Sequence, residues 1–372
     1  MGIRIFHSSD NHIGMNYLKY PDAVRTALIE ARFESLRKMV RYANEEQADL
    51  FVISGDLFNS LSISDAQVKR TADILREFSG LTLILPGNHD YYSGGERAWQ
   101  TFHKVMNEET LLLIENKPYS LKPFGMEAVV YPAHCHDKHS AENNLGWIKQ
   151  QPIDPGVVNI GVAHGAIEGL SPDLAGSYYF MSRTELTSIP VDLWLIGHTH
   201  VPYPLDGRAG EDRIYNAGTH EPDGLNYRQE GSGFLIDINE DKSLHSSRYI
   251  SGIHRFFDLQ LDLKGEQTLE QGIDELLNRV DGNTLLRVEV QGYIDRLEFE
   301  QRHFLYQRLE ESCLYFEVMD ADLKIRLAPE DIDETYVEGS FPQRFLKGLI
   351  GDERALQLAY ELVEKSREER GI

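Results

Sequence analysis

The sequence predicts an α/β domain of about 250 residues, followed by a smaller α+β domain and a helical C-terminus. Short apolar runs alternate with amphipathic segments in the first part, which is typical of a sheet covered by helices. Twelve of the 14 histidines precede residue 250. Residues 251–372 hold 15 Lys and Arg against 27 Asp and Glu, whereas residues 1–250 hold 22 against 33. We therefore place the domains at 1–253, 254–329 and 330–372.

The first domain is predicted to alternate strand and helix. Apolar runs predict strands at Ile3–Ser8, Leu50–Ser54, Leu81–Leu85, Glu127–Tyr131, Val157–Val162, Asp192–Ile196, Ile214–Asn216 and Gly233–Ile238. Helical spacing of apolar residues predicts helices at Ala23–Glu46, Asp65–Phe78 and Glu96–Met106, the second capped by Ser64 or Asp65. The early alternation predicts a largely parallel sheet, and the consecutive late strands predict a second, antiparallel part.

The rest of the chain is predicted to be a small α+β domain with a helical tail. Its strands are expected at Arg255–Leu263, Leu285–Gln291 and Tyr315–Met319, and its helices at Thr268–Val280 and Arg296–Glu311. Residues 330–338 are rich in Asp and Glu, which indicates an acidic linker. Helices at Pro342–Ile350 and Asp352–Glu369 follow. Their apolar residues either close a terminal bundle or bind a partner, and their number favours a partner.

Composition restricts the class of protein. The net charge of −23 repels polyanions, so this figure alone disfavours a nucleic-acid partner. Two cysteines, Cys135 and Cys313, form no disulfide framework, which indicates a reducing compartment. The sequence shows no signal peptide and no apolar run of the ~20 residues that a membrane helix needs. We therefore expect a cytoplasmic protein without a membrane segment.

Five polar motifs each follow an apolar strand. They are Asp10-Asn-His12, Gly55-Asp56, Gly87-Asn88-His89-Asp90, His164-Gly165 and Gly197-His198-Thr-His200. Ligands of open α/β sheets bind beyond the carboxyl ends of the strands, so the five motifs should converge. They supply seven candidate metal ligands: Asp10, His12, Asp56, Asn88, His164, His198 and His200. Two divalent ions about 3.5–4 Å apart could share this set through a bridging carboxylate, for which Asp56 is best placed.

This ordered set of motifs resembles the calcineurin-like metallophosphoesterases. Within that superfamily, Ser9-Asp-Asn-His-Ile-Gly14, Gly55-Asp-Leu-Phe58, Pro86-Gly-Asn-His-Asp90 and Gly197-His-Thr-His200 are most similar to the SbcD/Mre-type nucleases of DNA double-strand-break repair. The resemblance covers residues 1–250. It implies a four-layer α-β-β-α sandwich of two sheets, with a small α+β cap domain and C-terminal helices.

The resemblance also implies a role for each site residue. One metal would be held by Asp10, His12, Asp56 and His200, and the other by Asp56, Asn88, His164 and His198. His89 would contact the scissile phosphate or protonate the leaving oxygen, oriented by Asp90. Manganese is the usual metal of these nucleases, and the ligand set also allows iron or zinc.

The function implied is that of a metal-dependent DNA exonuclease and endonuclease in double-strand-break repair. Its partners would be DNA, an SMC-like ABC ATPase of the SbcC type and a second copy of the chain, paired through helices near Asp65–Phe78 and Glu96–Met106. One alternative is a phosphodiesterase for a small phosphodiester or nucleotide substrate, and another is a DNA-end-binding scaffold subunit. A second domain of this size favours a large substrate.

Several aromatic residues and histidines outside the ligand set have two interpretations. Tyr91 and Tyr92 follow the third motif and are candidate substrate contacts, since aromatic rings stack on bases, although packing is equally compatible. The same choice applies to Tyr178-Tyr-Phe180. His134-Cys-His-Asp-Lys-His139 looks like a metal cluster, but its spacing matches no closed zinc site, which favours a solvated loop near the site. His7 and His103 are expected to be ordinary core or surface residues.

Overall fold

The computed structural model describes residues 2–171, 173, 175–207, 210, 212–263, 267–327 and 329–370. The chain divides into two compact units, Met1–Arg255 and Phe256–Ile372. Among the helices of the described residues, none combines the length and the apolar character that a membrane crossing requires.

The first unit alternates strands and helices in its described residues. Its strands are β1 (Ile3–Ser8), β2 (Leu50–Ser54), β3 (Leu81–Leu85), β4 (Thr110–Leu112), β5 (Tyr119–Ser120), β6 (Ala128–Ala133), β7 (Val158–His164), β8 (Leu193–Gly197), β9 (Ile214–Asn216), β10 (Ser232–Ile238) and β11 (Leu244–Ile250). Its helices are α1 (Asp22–Glu45), α2 (Asp65–Leu75), α3 (Arg97–Val105) and α4 (Arg183–Ser188). Ser64 caps α2 as predicted, because its Oγ accepts the amide of Gln67.

These strands form two sheets. The first has the order β11-β10-β1-β2-β3-β4, and the second has the order β5-β6-β7-β8-β9. Strands β1 to β4 run parallel, and so do β6 to β9. All residues of β2, β3, β7 and β8 are buried, which is typical of parallel strands covered on both faces.

The two sheets pack face to face and carry helices on their outer faces. Ile5 and Val52 of the first sheet share a core with Ile160 and Leu195 of the second. A second core joins the outer face of the first sheet to α1, α2 and α3. A third joins the second sheet to α4. This order of layers confirms the predicted four-layer α-β-β-α sandwich.

The late strands differ from the prediction. They were expected to build a second, antiparallel part, but the second sheet is mainly parallel. Strand β10 pairs antiparallel with β1, and β11 pairs with β10, so both extend the first sheet. The physical reason is that β2 pairs with only one edge of β1, and β10 supplies hydrogen-bond partners for the backbone N–H and C=O groups along the other edge. Strand β11 was missed because it is a polar edge strand without a continuous apolar run.

The second unit is an α+β domain that continues into helices. Its elements are β12 (Arg255–Leu263), α5 (Leu269–Leu277), β13 (Thr284–Ile294), α6 (Arg296–Ser312), β14 (Tyr315–Ile325), α7 (Pro329–Thr335), α8 (Phe341–Lys347) and α9 (Glu353–Arg370). The sheet order is β12-β13-β14, and β13 and β14 run parallel. Thr268 and Gln271 form a capping box that begins α5 where the sequence predicts a helix.

The segment expected to be an acidic linker is partly helical. Residues 330–335 belong to α7, and Ile332 and Tyr336 are buried against Leu346, Leu356 and Ala359 of the last two helices. The spacing of Ile332 and Tyr336 is that of one helix face, and this face is hidden in the sequence by the acidic residues around it. The three terminal helices therefore share a small core.

Candidate metal centre

The five motifs meet at the carboxyl ends of strands from both sheets. Strands β1, β2 and β3 of the first sheet precede Asp10, Asp56 and Asn88, and β7 and β8 of the second end at His164 and Gly197. The first two loops run side by side, since the Asp10 amide donates to the Gly55 carbonyl at 3.1 Å and the His12 amide to the Asp56 carbonyl at 2.9 Å. All seven predicted ligands are thus delivered to one edge.

One group of donor atoms contains Asp10, His12 and His200. The Nε2 atoms of His12 and His200 lie 3.1 Å apart. Oδ1 of Asp10 is 4.0 Å from Nε2 of His12 and 3.9 Å from Nε2 of His200. The three side chains therefore point at a common space.

Asp56 links this first group to a second one, which contains Asn88, His164 and His198. Oδ2 of Asp56 is 3.7 Å from Nε2 of His12 and 3.4 Å from Nε2 of His164. Oδ1 of Asn88 lies 3.1 Å from Nε2 of His164 and 3.1 Å from Nδ1 of His198. Asp56 lies between the two groups, which is the position that a bridging carboxylate would occupy.

The donor set fits divalent cations. Unprotonated imidazole nitrogens that face one another, as in His12 and His200, repel unless a proton or a cation lies between them. Asp10 and Asp56 are fully buried, and among the described residues no Lys or Arg nitrogen lies within 4 Å of either carboxylate. Buried carboxylates are normally paired or bound to metal, so this chemistry is that of a metal centre.

The electrostatics of the site depend on close pairing of Asp and His. Burial alone would raise the pKa of Asp56, but the charge of His164 and its hydrogen bond to the carboxylate lower this pKa overall. Burial likewise opposes a charged His164, yet the Asp56 carboxylate raises the pKa of this imidazole to about 9. Metal binding requires the neutral imidazole, so it would release this proton.

The other histidines differ in their surroundings. Burial lowers the pKa of His198 to about 3, and it lowers the pKa of His12 well below the usual value. Burial also opposes the charged form of His200, but a hydrogen bond to Asp223 raises the pKa of that imidazole. His12 and His198 are therefore held in the neutral form that binds metal.

Sequence reasoning missed the groups that orient these ligands. Nδ1 of His200 donates to Oδ2 of Asp223 at 2.5 Å, and Nδ1 of His164 donates to the Ser54 carbonyl at 2.9 Å. Each contact leaves Nε2 of the same ring free to face the site, which is the usual arrangement of a metal-binding histidine. Asp223 follows no strand and belongs to none of the five motifs, so no pattern pointed to it.

The backbone at the ligands is strained. Asp10, His12, Asp56 and His198 have positive φ angles of 49°, 44°, 54° and 108°. Positive φ is unfavourable for residues other than glycine, and it is concentrated at functional sites. The hydrogen bonds between the loops hold this geometry; for example, the His198 amide donates to both carboxylate oxygens of Asp10 at 3.1 and 3.0 Å.

Two motif glycines are required by close packing. A Cβ at Gly55 would lie 2.0 Å from Nδ1 of His164, and Gly55 has a φ of +97°. A Cβ at Gly87 would lie 2.3 Å from Oδ1 of Asp56. The glycines therefore let the side chains of neighbouring strands approach the ligand loops.

His89 lies at the site, whereas Asp90 lies behind it. The rings of His89 and His12 are perpendicular, with centroids 4.8 Å apart, and the His89 amide donates to Oδ1 of Asp56 at 2.8 Å. Nδ1 of His89 donates to the Asn59 carbonyl at 3.1 Å.

Asp90 does not make the contact expected of it. Its carboxylate accepts the amides of Gly87 at 2.7 Å and Phe58 at 2.9 Å, because both donors point at this buried group. Burial and the charge of Asp56 raise the pKa of Asp90 to about 7. Asp90 thus fixes the loop backbone, and the carbonyl of Asn59 orients the His89 ring.

The candidate substrate tyrosines have different surroundings. Tyr92 packs against the helical core of the first sheet, which supports the packing interpretation for this residue. Tyr91 is partly exposed. Tyr178 lies beside a predicted ligand, since its ring centroid is 5.2 Å from that of His198 with planes 32° apart.

The histidine-rich loop contains buried and exposed residues. His134 and Cys135 are buried, and residues 136–139 are exposed. The solvated-loop interpretation therefore describes residues 136–139 but not His134 and Cys135. His7 is buried and contacts Ser54 Oγ at 2.7 Å, while His103 is exposed, so both are ordinary core and surface residues.

Comparison with known proteins identifies the family. Residues 3–202, more than half of the chain, match the family model of the calcineurin-like phosphoesterases. The uncharacterized metallophosphoesterase YhaO of Bacillus subtilis (strain 168) is 25% identical over 206 residues, which cover 53% of this chain and only 48% of that protein.

Similar solved structures include the purple acid phosphatase PPD1 from yellow lupin (Lupinus luteus) seeds, with 15% identity, a TM-score of 0.45 and coverage of 68% of this chain and 52% of that one. They also include TT1561 of Thermus thermophilus, with 13% identity, a TM-score of 0.41 and coverage of 66% and 99%. Together, the two-sheet sandwich, the convergent donor atoms and the family model show that this chain belongs to the calcineurin-like phosphoesterases, a family of metal-dependent hydrolases.

Proposed function

We propose that the protein is a manganese-dependent DNA nuclease that hydrolyses phosphodiester bonds in double-strand-break repair. The observation that carries this proposal is the position of His89 next to both groups of donor atoms. Its ring contacts the His12 ring, and its amide binds the carboxylate of Asp56. A phosphodiester has a poor leaving group, and an imidazole at this position can protonate it.

The orientation of His89 supports this role. Because Nδ1 donates to the Asn59 carbonyl, Nε2 is the nitrogen left to face a substrate. In the imidazolium form, Nε2–H can donate its proton to the leaving oxygen while the Nδ1–H bond holds the ring. Divalent cations held by the seven donor residues would supply an activated hydroxide and neutralise charge on the phosphate.

The size of the chain supports DNA as the substrate. A compact unit of about 117 residues follows the phosphoesterase unit, and a small substrate does not need it. The motif strings around Asp10, Asp56, His89 and His198 resemble those of DNA-repair nucleases. Both cysteines are free thiols, which supports a cytoplasmic location.

Exposed apolar residues in the terminal helical segment support a partner. Phe341 of α8 and Leu362 of α9 are 76% and 60% exposed, and Val337, in the loop between α7 and α8, is 81% exposed. We include in the proposal an SMC-type ATPase that covers these residues. Phe341→Glu is expected to abolish copurification with a coexpressed ATPase.

The proposal also includes a second copy of the chain that pairs through α2 and α3. Light scattering of the purified chain tests this dimer.

The test of nuclease activity uses the full chain, manganese and end-labelled linear DNA. The wild type should degrade the DNA, and His89→Ala should slow cleavage by about 10²–10⁴-fold, the usual contribution of a general acid. Calorimetry should show that His89→Ala still binds manganese. The matched control is His245→Ala, which removes an exposed histidine of β11. A His89→Ala enzyme that cuts DNA at the wild-type rate would contradict the role proposed for this residue.

The acidic character of residues 251–372 favours one other candidate. Because residues 251–372 carry 27 acidic against 15 basic side chains, this part of the chain repels DNA at long range. A small phosphodiester or nucleotide would not meet this repulsion. Rapid hydrolysis of bis-p-nitrophenyl phosphate by a protein that leaves all DNA substrates intact would establish this second function.

A further inference from the structure

A pair of rings, which we call the aromatic rim, lies beside the candidate metal centre. It consists of Tyr178, which is partly exposed, and His139, which is exposed. The ring centroids of these two residues lie 5.0 Å apart with planes 59° apart, and Tyr178 in turn contacts the ring of His198. Nδ1 of His198 is 3.1 Å from Oδ1 of Asn88, so one side chain separates the rim from the donor atoms.

The backbone under the rim is fixed at several points. The amide of Ser140 donates to the Ser177 carbonyl at 2.8 Å, and the Tyr179 amide donates to the Ser140 carbonyl at 2.9 Å. The carboxylate of Asp173 accepts the amide of Tyr178 at 2.9 Å. The two segments that carry the rim are therefore joined to each other.

The neighbouring Tyr179 fastens the histidine-rich loop from below. Its side chain is fully buried, and its hydroxyl accepts the amides of His136 at 3.1 Å and Asp137 at 2.8 Å and donates to the Asp137 carbonyl at 2.8 Å. Of two adjacent tyrosines, one is thus used for packing and the other is presented at the site. The hydrogen bonds described above hold the backbone that carries Tyr178. The Tyr178 ring therefore loses little conformational entropy when a ligand stacks on it.

The charges of the loop argue against a phosphate site. Lys138 is accompanied by Asp137, and Asp173 lies on the other segment, so the basic side chain is offset by carboxylates. What the rim offers is ring surface. Aromatic surface of this kind binds nucleobases with little regard to sequence, because every base has a π-face.

We propose that Tyr178 and His139 form a stacking site for the nucleobase joined to the scissile phosphate. A base is linked to its phosphate through a sugar, and this linkage can span the one side chain that separates the rim from the donor atoms. The proposal rests on the proposed function and deepens it, since it makes a nucleotide the unit that the site recognises.

The test compares two chromogenic phosphodiesters that share a leaving group, of which only one carries a nucleoside. These are thymidine 5′-(p-nitrophenyl phosphate) and methyl p-nitrophenyl phosphate, which has a methyl group in place of the whole nucleoside; both are hydrolysed by the full chain with manganese. Tyr178→Ala is expected to lower the ratio of kcat/KM for the thymidine ester to that for the methyl ester by about 5- to 150-fold, the effect of removing one base–aromatic stack. Tyr178→Phe retains the aromatic ring, so its kcat/KM ratio should equal that of the wild type.

Three further variants protect the interpretation. Tyr178→Leu retains apolar bulk against His198 but has no aromatic face, so it should lower the kcat/KM ratio as much as Tyr178→Ala does. His139→Ala should lower this ratio by a smaller factor. His245→Ala, an exposed histidine beside Gly2 and Arg4 at the opposite end of β1, should keep the wild-type ratio.

Two results would overturn the proposal. Equal losses on both esters, together with weaker manganese binding by calorimetry, would show that Tyr178 only supports His198. An unchanged ratio in Tyr178→Ala would show that the ring only packs. If the wild type hydrolyses both esters but leaves DNA intact, the nuclease proposal fails while the ester ratio still decides the role of the rim.

Discussion

Replacing Asp223 with Asn should weaken manganese binding by about tenfold. The Asp223 carboxylate accepts the Nδ1–H of His200 at 2.5 Å and so directs Nε2 toward Asp10 and His12. Loss of such a contact typically costs 10–100-fold in metal affinity. Since the His200 and Asp223 side chains keep 31% and 24% of their surface exposed, solvent screens part of the interaction. The lower end of the range is therefore expected.

The assay is calorimetric titration of the metal-free protein with manganese. Asp241→Asn is the matched control, because the carboxylate of Asp241 is exposed and bonds only to Ser243 in the described structure. The difference in manganese affinity between Asp223→Asn and the wild type should become smaller as the pH falls. In the wild type, Asp223 raises the pKa of His200, so at lower pH a proton competes with the metal for this imidazole. Equal affinities in Asp223→Asn and Asp241→Asn at neutral pH would refute the orienting role.

Two other substitutions test the packing and the protonation of the first unit. Gly55→Ala places a Cβ 2.0 Å from Nδ1 of His164 at a φ of +97°, so it should abolish tight manganese binding and lower the melting temperature. The control is Gly146→Ala, whose added Cβ would have no atom within 4 Å except those of its chain neighbours, and it should change neither property. Burial lowers the pKa of His7 to about 3 in the folded chain. Below about pH 6.5 this histidine is therefore protonated in the unfolded chain but not in the folded chain. The free energy of unfolding should consequently decrease as the pH falls toward 3. Urea denaturation at pH 7 and pH 5 should show a shallower decrease for His7→Gln; equal decreases would contradict this account.

The positions of the candidate ligands could be predicted because the signal is local. Each motif directly follows a run such as Leu50–Ser54, and a buried strand ends where its apolar run ends. Strand ends of parallel sheets converge, so Asp56, His164 and His198 meet although they are far apart in sequence. The four-layer fold followed from the resemblance that these motifs carry.

The contacts that orient the ligands could not be predicted from the same patterns. Asp223 lies in a loop 23 residues after His200, and only the folded chain brings the two side chains together. The Asn59 carbonyl that binds His89 is a backbone group, so its sequence identity carries no signal. The positive φ angles of Asp10 and His12 are likewise imposed by contacts between loops.

The net charge of −23 and a polyanionic substrate can be reconciled by where the charges lie. The carboxylates of Asp10, Asp56 and Asp223 surround the place where a phosphate must bind, so without divalent cations this place repels the substrate at short range. Surface charges that lie farther from this place than the ~8 Å Debye length of physiological salt are largely screened. The local charge set by the bound cations therefore decides whether phosphate can enter. The acidic composition therefore does not exclude DNA. Under the proposed function, DNA binding would depend on metal, on the proposed stacking site at Tyr178, and on the proposed partner of the terminal helices.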